Sequence, residues 1–439
     1  MLFRSEAFDL NPADADTAVY VVKYLKLLDQ PEERITEVYR RAYATGARNP
    51  LMLRHLAEAA FGAENYGMAR EYYEEYIKLR PAPAYIYNLG LARLRNEQFE
   101  RAAISFAKAT ELDPTNFAYW KNLGITHSRM EDFESALTAM RRAFELNPSD
   151  PETAVYTVKY LKLLDRPEIE ITEIYQRAYL AGSRNTLILS HLAQVAFDGE
   201  AFEKAAKYYG EYLELRPSAV YYYNMGLALL QTEDLDEAIE AFIKATELDP
   251  SNFAFWKNLG IAHSRNGDFD KALQAMARAF DIDPADPETA IYVVKYLKLL
   301  DRPERKVTEV YQRAYAAGSR DTLILRHLAR DAFDRDDFDL AARHYTEYLE
   351  LRPSPVYYYN LGLALRKGER FAESRQAYRK AVEMDPLYEK AWLNLGYVHA
   401  FLGDETEAES AFKRALEINP NYTNAADALQ ELKSGKIRP

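Results

Sequence analysis

Histidine is the side chain whose ordinary pKa suits proton transfer near neutral pH, and six of the seven in this chain fall into two sets of equivalent positions. His55, His191 and His327 form one set, and His127, His263 and His399 the other, each separated by 136 residues. Copies spread along a chain at a fixed interval cannot converge on one metal, and no cluster of ligands at metal-binding spacing accompanies them. They are expected to pack or to make a local hydrogen bond. Other chemistry lacks its signatures as well. There is no Gly-rich loop to cradle phosphate, no His-Glu-x-x-His and no nucleophile elbow. Without a single cysteine, disulfides and thiolate metal sites are excluded. The expectation is a protein that is not an enzyme and carries no cofactor and no metal.

Phenols and cations are the more promising groups. Among 34 tyrosines, the runs Tyr85-Ile-Tyr87, Tyr221-Tyr-Tyr223 and Tyr357-Tyr-Tyr359 stand out. Three consecutive side chains on a helix point in three directions, so at least one of each run faces outward or toward a partner. Such a ladder could stack on a ligand and hydrogen-bond to it, or could pack between helices. Lys23 and Lys26, repeated as Lys159, Lys162, Lys295 and Lys298, sit one turn apart on one face. They are either a solvated surface or an anion-binding one.

The elements that must position these groups come in a repeat. The whole chain recurs at an offset of 136 residues three times without an insertion, as Gly90, Gly226 and Gly362 illustrate. Inside each block a shorter unit recurs. Trp120, Leu123, Gly124, His127, Ala136, Met140, Ala143 and Pro148 share their spacing with Trp256, Leu259, Gly260, His263, Ala272, Met276, Ala279 and Pro284. One unit earlier, Leu89, Gly90, Ala102, Phe106, Ala109 and Pro114 follow suit. Apolar residues three and four apart give each helix one buried stripe. Gly124 and Ala136 allow two antiparallel helices to approach, and Phe106 and Met140 fill the space between neighbours. Turn signals such as Asn266-Gly267-Asp268 separate the paired helices. Asp113-Pro114 and Asn147-Pro148 stop the second helix, because a residue before proline avoids the helical region.

These residues resemble the tetratricopeptide repeat, a helix-turn-helix unit of about 34 residues. The likeness is strong over 83–150, 219–286 and 355–422, and looser in the units closed by Pro81, Pro217 and Pro353, where Ala57, Ala193 and Ala329 replace the glycine. The opening hairpin of each block diverges most, with Lys159 near the small-residue position and Pro167 in its turn. The resemblance implies an all-α, right-handed superhelical solenoid of antiparallel helix hairpins, about twelve in number. Residues 13–147, 148–283 and 284–419 are then three four-hairpin blocks. Residues 1–12 would be a partial hairpin or N-terminal capping helix, resembling the second half of a hairpin cut from a longer array, and 420–439 a C-terminal capping helix and tail.

In this family the first helix of each hairpin lines a concave groove. Carried over, that face presents Tyr87, Lys121 and Arg129, then Tyr223, Lys257 and Arg265, then Tyr359 and Arg366, while Leu393 and Tyr397 break the basic pattern. Asn88, Asn122, Asn224, Asn258, Asn360 and Asn394 resemble the asparagine that the family carries before its Leu-Gly pair, where it grips a bound peptide or braces its own hairpin. The chaperone-tail binders of the family add a second asparagine one turn later, beside a lysine. Here those places hold Leu91, Ile125, Leu227, Ile261, Leu363 and Tyr397, so an Hsp70 or Hsp90 tail is not the expected ligand. The implied function is a non-catalytic protein–protein interaction scaffold for an extended peptide or protein segment. Two alternatives stand beside it: the periplasmic part of a bacterial exopolysaccharide export system, binding polysaccharide or a modifying enzyme, and an engineered array with no natural ligand.

Composition narrows the partners. With 56 basic and 68 acidic residues the net charge is −12, which disfavours nucleic acid and anionic membranes. No apolar run approaches the roughly 20 residues needed to span a bilayer, so direct membrane insertion is not expected. The chain as written reads as soluble and cytoplasmic, or periplasmic if it is part of a secreted bacterial protein. Exposed helix faces at the array ends could pair two chains into a homo-oligomer.

Overall fold

A computed structural model describes residues 11–437 of the chain. These form twenty-five α-helices and no strand. The expected half-hairpin at Leu2–Leu10 lies outside the described residues. The chain divides into two compact units, Met1–Pro217 and Ser218–Pro439. This division falls inside the second sequence block, because a period in sequence and a cluster of contacts are different properties of an array.

The first unit holds six antiparallel hairpins, from Ala15–Leu27 with Glu32–Ala44 to Thr186–Asp198 with Phe202–Leu215. Asp150 begins the helix Pro151–Leu163 by accepting from the Thr153 amide at 3.0 Å, and Asn116 begins Phe117–Arg129 by accepting from the Ala118 amide at 3.1 Å. Second helices end as the proline pairs require: Asp113 and Asn147 both leave the helical region, with φ −142° and ψ 87° and 80°. Between the paired helices Gly124, Ala136 and Met140 meet as anticipated. A Cβ added at Gly124 would lie 2.9 Å from Met140 Cγ and 3.1 Å from the Ala136 carbonyl oxygen.

The second unit holds six more hairpins, from Ala219–Gln231 with Leu235–Leu248 to Glu389–Phe401 with Glu405–Ile418, and ends in the single helix Thr423–Lys433. That helix is not left bare. Ala425 and Ala428 are buried with Phe412 and Leu393 of the preceding hairpin, and Ile437 packs against the same cluster.

The Asn266-Gly267-Asp268 turn separates its two helices as expected, but most hairpins turn without glycine. Gly267 and Gly403 take positive φ in two of these turns, but the other ten place an aspartate or glutamate there, from Asp29 at φ 51° to Glu233 at φ 64°. The left-handed residue is needed to close the helix end, and glycine is not the only residue that supplies it. Among the described residues, no helix is long and apolar enough to cross a membrane.

Candidate functional site

The asparagines expected on the first-helix face are held by tyrosines of the preceding hairpin. In the first unit, Asn122 Nδ2 donates to Tyr87 Oη at 2.9 Å and to the Ala118 carbonyl, one turn back, at 2.9 Å. In the second, Asn258 Nδ2 donates to Tyr223 Oη at 3.1 Å and to the Ala254 carbonyl at 2.9 Å. Asn394 repeats the bond to its own helix, at 2.9 Å from the Lys390 carbonyl, and is the neighbour of the Tyr359 hydroxyl. With both amide hydrogens used, the side-chain oxygens of Asn122 and Asn258 accept no hydrogen bond from any described residue. Asn88 is the corresponding neighbour of the Tyr73 hydroxyl.

The tyrosine rings themselves are wedged between hairpins. Tyr87 lies 4.8 Å from Tyr119 and 5.5 Å from Phe106, Tyr223 lies 4.9 Å from Phe255, and Tyr359 lies 5.1 Å from Tyr388, centroid to centroid. Burial raises the pKa of all three phenols, so they remain neutral donors and acceptors at physiological pH.

The expected groove lysines have partners of their own. Lys121 Nζ lies 3.1 Å from Asp150 and forms an ion pair with Glu152, both at the start of the next hairpin. Lys257 repeats this with Asp286 at 3.6 Å and Glu288 at 2.6 Å. Burial alone would pull the Lys121 pKa down, but hydrogen bonds to Glu152 and Asp150 outweigh it and the pKa is raised. Both lysine side chains are only 16% exposed, so they serve first as struts between hairpins. The arginines differ among themselves. Arg129 is exposed, Arg265 donates to the Leu230 carbonyl at 3.0 Å, and Arg366 sits among Tyr359, Tyr378 and Tyr397 with its Nε buried and unpartnered.

Within a unit, then, the structure brings Tyr87 to Asn122, Tyr223 to Asn258, and Arg366 and Asn394 to Tyr359. Lys121 and Lys257 contact the next hairpin's carboxylates instead. Asn224 is half-buried on its helix, and Asn360 lines a cavity described below.

Both histidine sets make local contacts. His55, His191 and His327 share a hydrogen bond with Thr36, Thr172 and Thr308 at 2.8, 3.0 and 3.1 Å, and each ring packs on a tyrosine, at 5.2 Å in the case of Tyr39. Burial lowers their pKa values. His127 and His399 approach Asp132 and Asp404 at 3.4 and 3.3 Å. Among the described residues, no group of three or more His, Cys, Asp or Glu is placed to hold a metal ion.

One constellation is absent from the sequence reading. Arg184 lies over the Tyr179 ring at 4.0 Å and pairs with Glu211 at 2.8 Å, and Tyr179 donates to the same Glu211 at 2.6 Å. Arg48, Tyr43 and Glu75 repeat it, as do Arg320, Tyr315 and Glu347. Burial, with the hydrogen bond to Glu211, pushes the Tyr179 pKa up to about 12. The closed triad fastens one hairpin to the next. Its signal was the constant Tyr-to-Arg spacing, recurring with the long period.

Comparison with known proteins adds the family. A family model described as tetratricopeptide repeat matches residues 54–117, 223–287, 327–389 and 359–423, together more than half of the chain, and a second of the same description matches 118–150. The chain is 30% identical over 103 residues to heat shock protein STI1 of Saccharomyces cerevisiae, covering 23% of this chain and 18% of that one. It is 29% identical over 109 residues to the Hsp70-Hsp90 organizing protein of Triticum aestivum, covering 25% and 19%. The matched stretches thus span less than a fifth of either relative. Among solved structures, YrrB, a TPR protein with an unusual peptide-binding site, is similar at 25% identity over 44% of this chain and 99% of its own, with a TM-score of 0.34.

Proposed function

The chain belongs to the tetratricopeptide repeat family, and from that premise we propose that it is a non-catalytic scaffold that binds an extended peptide or protein segment on the first-helix face of its hairpins. The observation that carries this reading is the set of fixed asparagine oxygens. Tyr87 and Tyr223 clamp the amide hydrogens of Asn122 and Asn258, so each side-chain oxygen is held in one direction with no internal donor. An oxygen held this way can accept a backbone N–H from an extended ligand without first losing side-chain freedom, which lowers the cost of binding. Tyr359 and Asn394 offer a third rung, and Asn88, Asn224 and Asn360 occupy the matching place one hairpin earlier. Lys121, Lys257, Arg129, Arg265 and Arg366 flank these rungs. A chaperone tail is not the proposed ligand, because Leu91, Ile125, Leu227, Ile261 and Leu363 stand where a second gripping asparagine would be needed.

The test is selection of random dodecapeptides by display on the full chain, followed by calorimetric titration of the best binders. A neutral hydrogen bond contributes about 1 kcal/mol net, or roughly fivefold in affinity. The Asn122→Ala/Asn258→Ala double variant is expected to bind the selected peptides at least about fivefold more weakly, while Lys244→Ala, on the opposite helix, leaves them unchanged. Equal affinity for both variants refutes this face as the binding surface.

A further inference from the structure

Near the first-helix face, Lys121 and Lys257 are neutralised by neighbouring carboxylates. A cavity in the second unit departs from this pattern. It encloses about 450 Å³ between the helices Pro287–Leu299, Thr322–Asp334 and Pro355–Lys367, and it presents Lys298, Arg326 and Arg330 together. No carboxylate lines it, in a chain whose net charge is −12. Arg326 has no ion pair or hydrogen bond with any described residue. Arg330 reaches only Asp334, at 3.6 Å on the solvent side, and Lys298 only Glu304, at 4.0 Å. These two pairs are largely exposed, and such pairs contribute little, so both cations can turn to a ligand.

The remaining wall is uncharged. Tyr311 and Tyr345 line it as buried side chains, and Tyr357, whose ring lies 6.3 Å from that of Tyr345, lines it with Asn360. His327 shares its hydrogen bond with Thr308, with Asp331 beside it, and burial lowers its pKa, so it adds no fixed charge at neutral pH. Comparison of the three blocks separates packing from function. Tyr311, His327 and Tyr345 have the same residues at the corresponding places, Tyr175, His191 and Tyr209 and then Tyr39, His55 and Tyr73. The cations follow less closely: Lys298 recurs as Lys162 and Lys26, and Arg326 recurs as Arg54 but is replaced by Ser190 in the second block, while Arg330 gives way to Gln194 in the second and Glu58 in the first. Hairpin stacking therefore does not require Arg330, and the three cations occur together only in the third block.

We propose that this cavity receives a phosphorylated side chain of a bound peptide segment. The proposal rests on the first-helix face being the peptide-binding surface, since Asn360 belongs to both. A carboxylate brings one negative charge and leaves two of three converging cations uncompensated. A phosphomonoester brings about −1.5 to −2 charges and three strong acceptor oxygens, which match two guanidinium forks, an ammonium and the Asn360 amide. The phenol walls accommodate the carbon stem.

The probe is a fluorescent degenerate peptide library with phosphoserine at its centre, compared with the same library carrying serine, each titrated against the full chain by fluorescence polarisation. The phosphorylated library is expected to bind at least tenfold more tightly. That advantage should vanish in Arg326→Ala/Arg330→Ala, checked for unchanged helicity, and return in part with Arg326→Lys/Arg330→Lys. Equal binding of the two libraries, or a phosphate preference that survives the double alanine variant, overturns the proposal. If the libraries bind equally and both are lost in Asn122→Ala/Asn258→Ala, the peptide-binding surface stands and only the phosphate site falls. If free O-phosphoserine displaces the library with the affinity of the peptides themselves, the ligand is a small phosphate ester and the peptide-borne group is refuted.

Discussion

Two glycines, one recurring in every block and one not, should respond oppositely to the same methyl group. Gly226 lies in the helix Ala219–Gln231 against Phe242, which is 0% exposed. A Cβ there would sit 2.8, 2.9 and 2.9 Å from Cε1, Cδ1 and Cζ of that ring. Carbon contacts are comfortable at about 3.5–4.0 Å, so ring and methyl must part by more than half an ångström. A fully buried ring has nowhere to swing, and overpacking of this kind costs about 1–3 kcal/mol. Gly210 lies inside the helix Phe202–Leu215, and a Cβ there meets no heavy atom within 4 Å. Both substitutions gain the same helix preference of alanine over glycine, about 1 kcal/mol. That gain cancels between the two variants. Gly210→Ala is expected to stabilise by about 1 kcal/mol, and Gly226→Ala to lie about 1–3 kcal/mol below it. Urea unfolding followed by circular dichroism reads both, with an unchanged slope confirming that the unfolding unit is the same. Adding Phe242→Leu to Gly226→Ala should recover part of the loss, a coupling of about 0.5–3 kcal/mol that Gly210→Ala lacks. If Gly226→Ala is as stable as Gly210→Ala, the close approach of paired helices at this position is not what selects glycine.

The other predictions concern side chains that depart from their copies. His344 is buried at 3% exposure where the other blocks have Tyr72 and Tyr208, with Glu347, Arg343, Arg320 and Asp337 around it. Burial lowers its pKa below the ordinary 6.5, so the unfolded chain takes up the proton first and stability falls as pH drops below that value. His344→Tyr should therefore gain on the wild type between pH 7.5 and 5.5 in midpoint of denaturation, and a pH-independent difference would refute the assignment. The slope will not vanish, since burial lowers the pKa of His55, His191, His263 and His327 as well. Tyr378 stands where Phe106, Phe242 and Phe412 stand in other hairpins, and its buried hydroxyl makes no hydrogen bond of good geometry although Arg366 and Ser374 adjoin it. Tyr378→Phe should raise stability by up to about 1 kcal/mol, by removing a desolvated group, and a loss of that size in the same denaturation assay would mean that the hydroxyl is paired.

Much of the hairpin architecture was legible because it depends on short-range pattern. Stripes at helical spacing, Gly124 facing Ala136 and the Asn147-Pro148 stop are each contained within one hairpin. The turns were less so: an aspartate or glutamate can be held at positive φ when the flanking helices demand it, and Asp29 or Glu97 does not stand out in the sequence as glycine does. The candidate site was legible as a face and not as a set of partners. Lys121 was rightly set on the first helix, but Asp150 and Glu152 lie on the next hairpin, and only the packing of one hairpin on another decides that they meet. Tyr87 and Asn122 were selected on separate grounds, and their mutual bond follows from the same stacking.

In a chain that repeats itself, residues held constant among the blocks report first on stacking. The Arg184, Tyr179 and Glu211 triad recurs in every block and fastens hairpins, so its chemistry is spent inside the fold. Departures from the repeat are where a specific function can be written, but a departure is not sufficient. His344 and Tyr378 depart, and their altered groups are turned into the core, where they change stability alone. Arg330 departs as well, joining Lys298 and Arg326 in a combination that no other block has, and it differs in the two respects that a ligand requires: no carboxylate lines the cavity these cations share, and Asn360, one of the first-helix asparagines, lines it too. Three cations lining one cavity repel one another until an anion joins them, and Arg330, which completes that set in one block only, is the position to probe first.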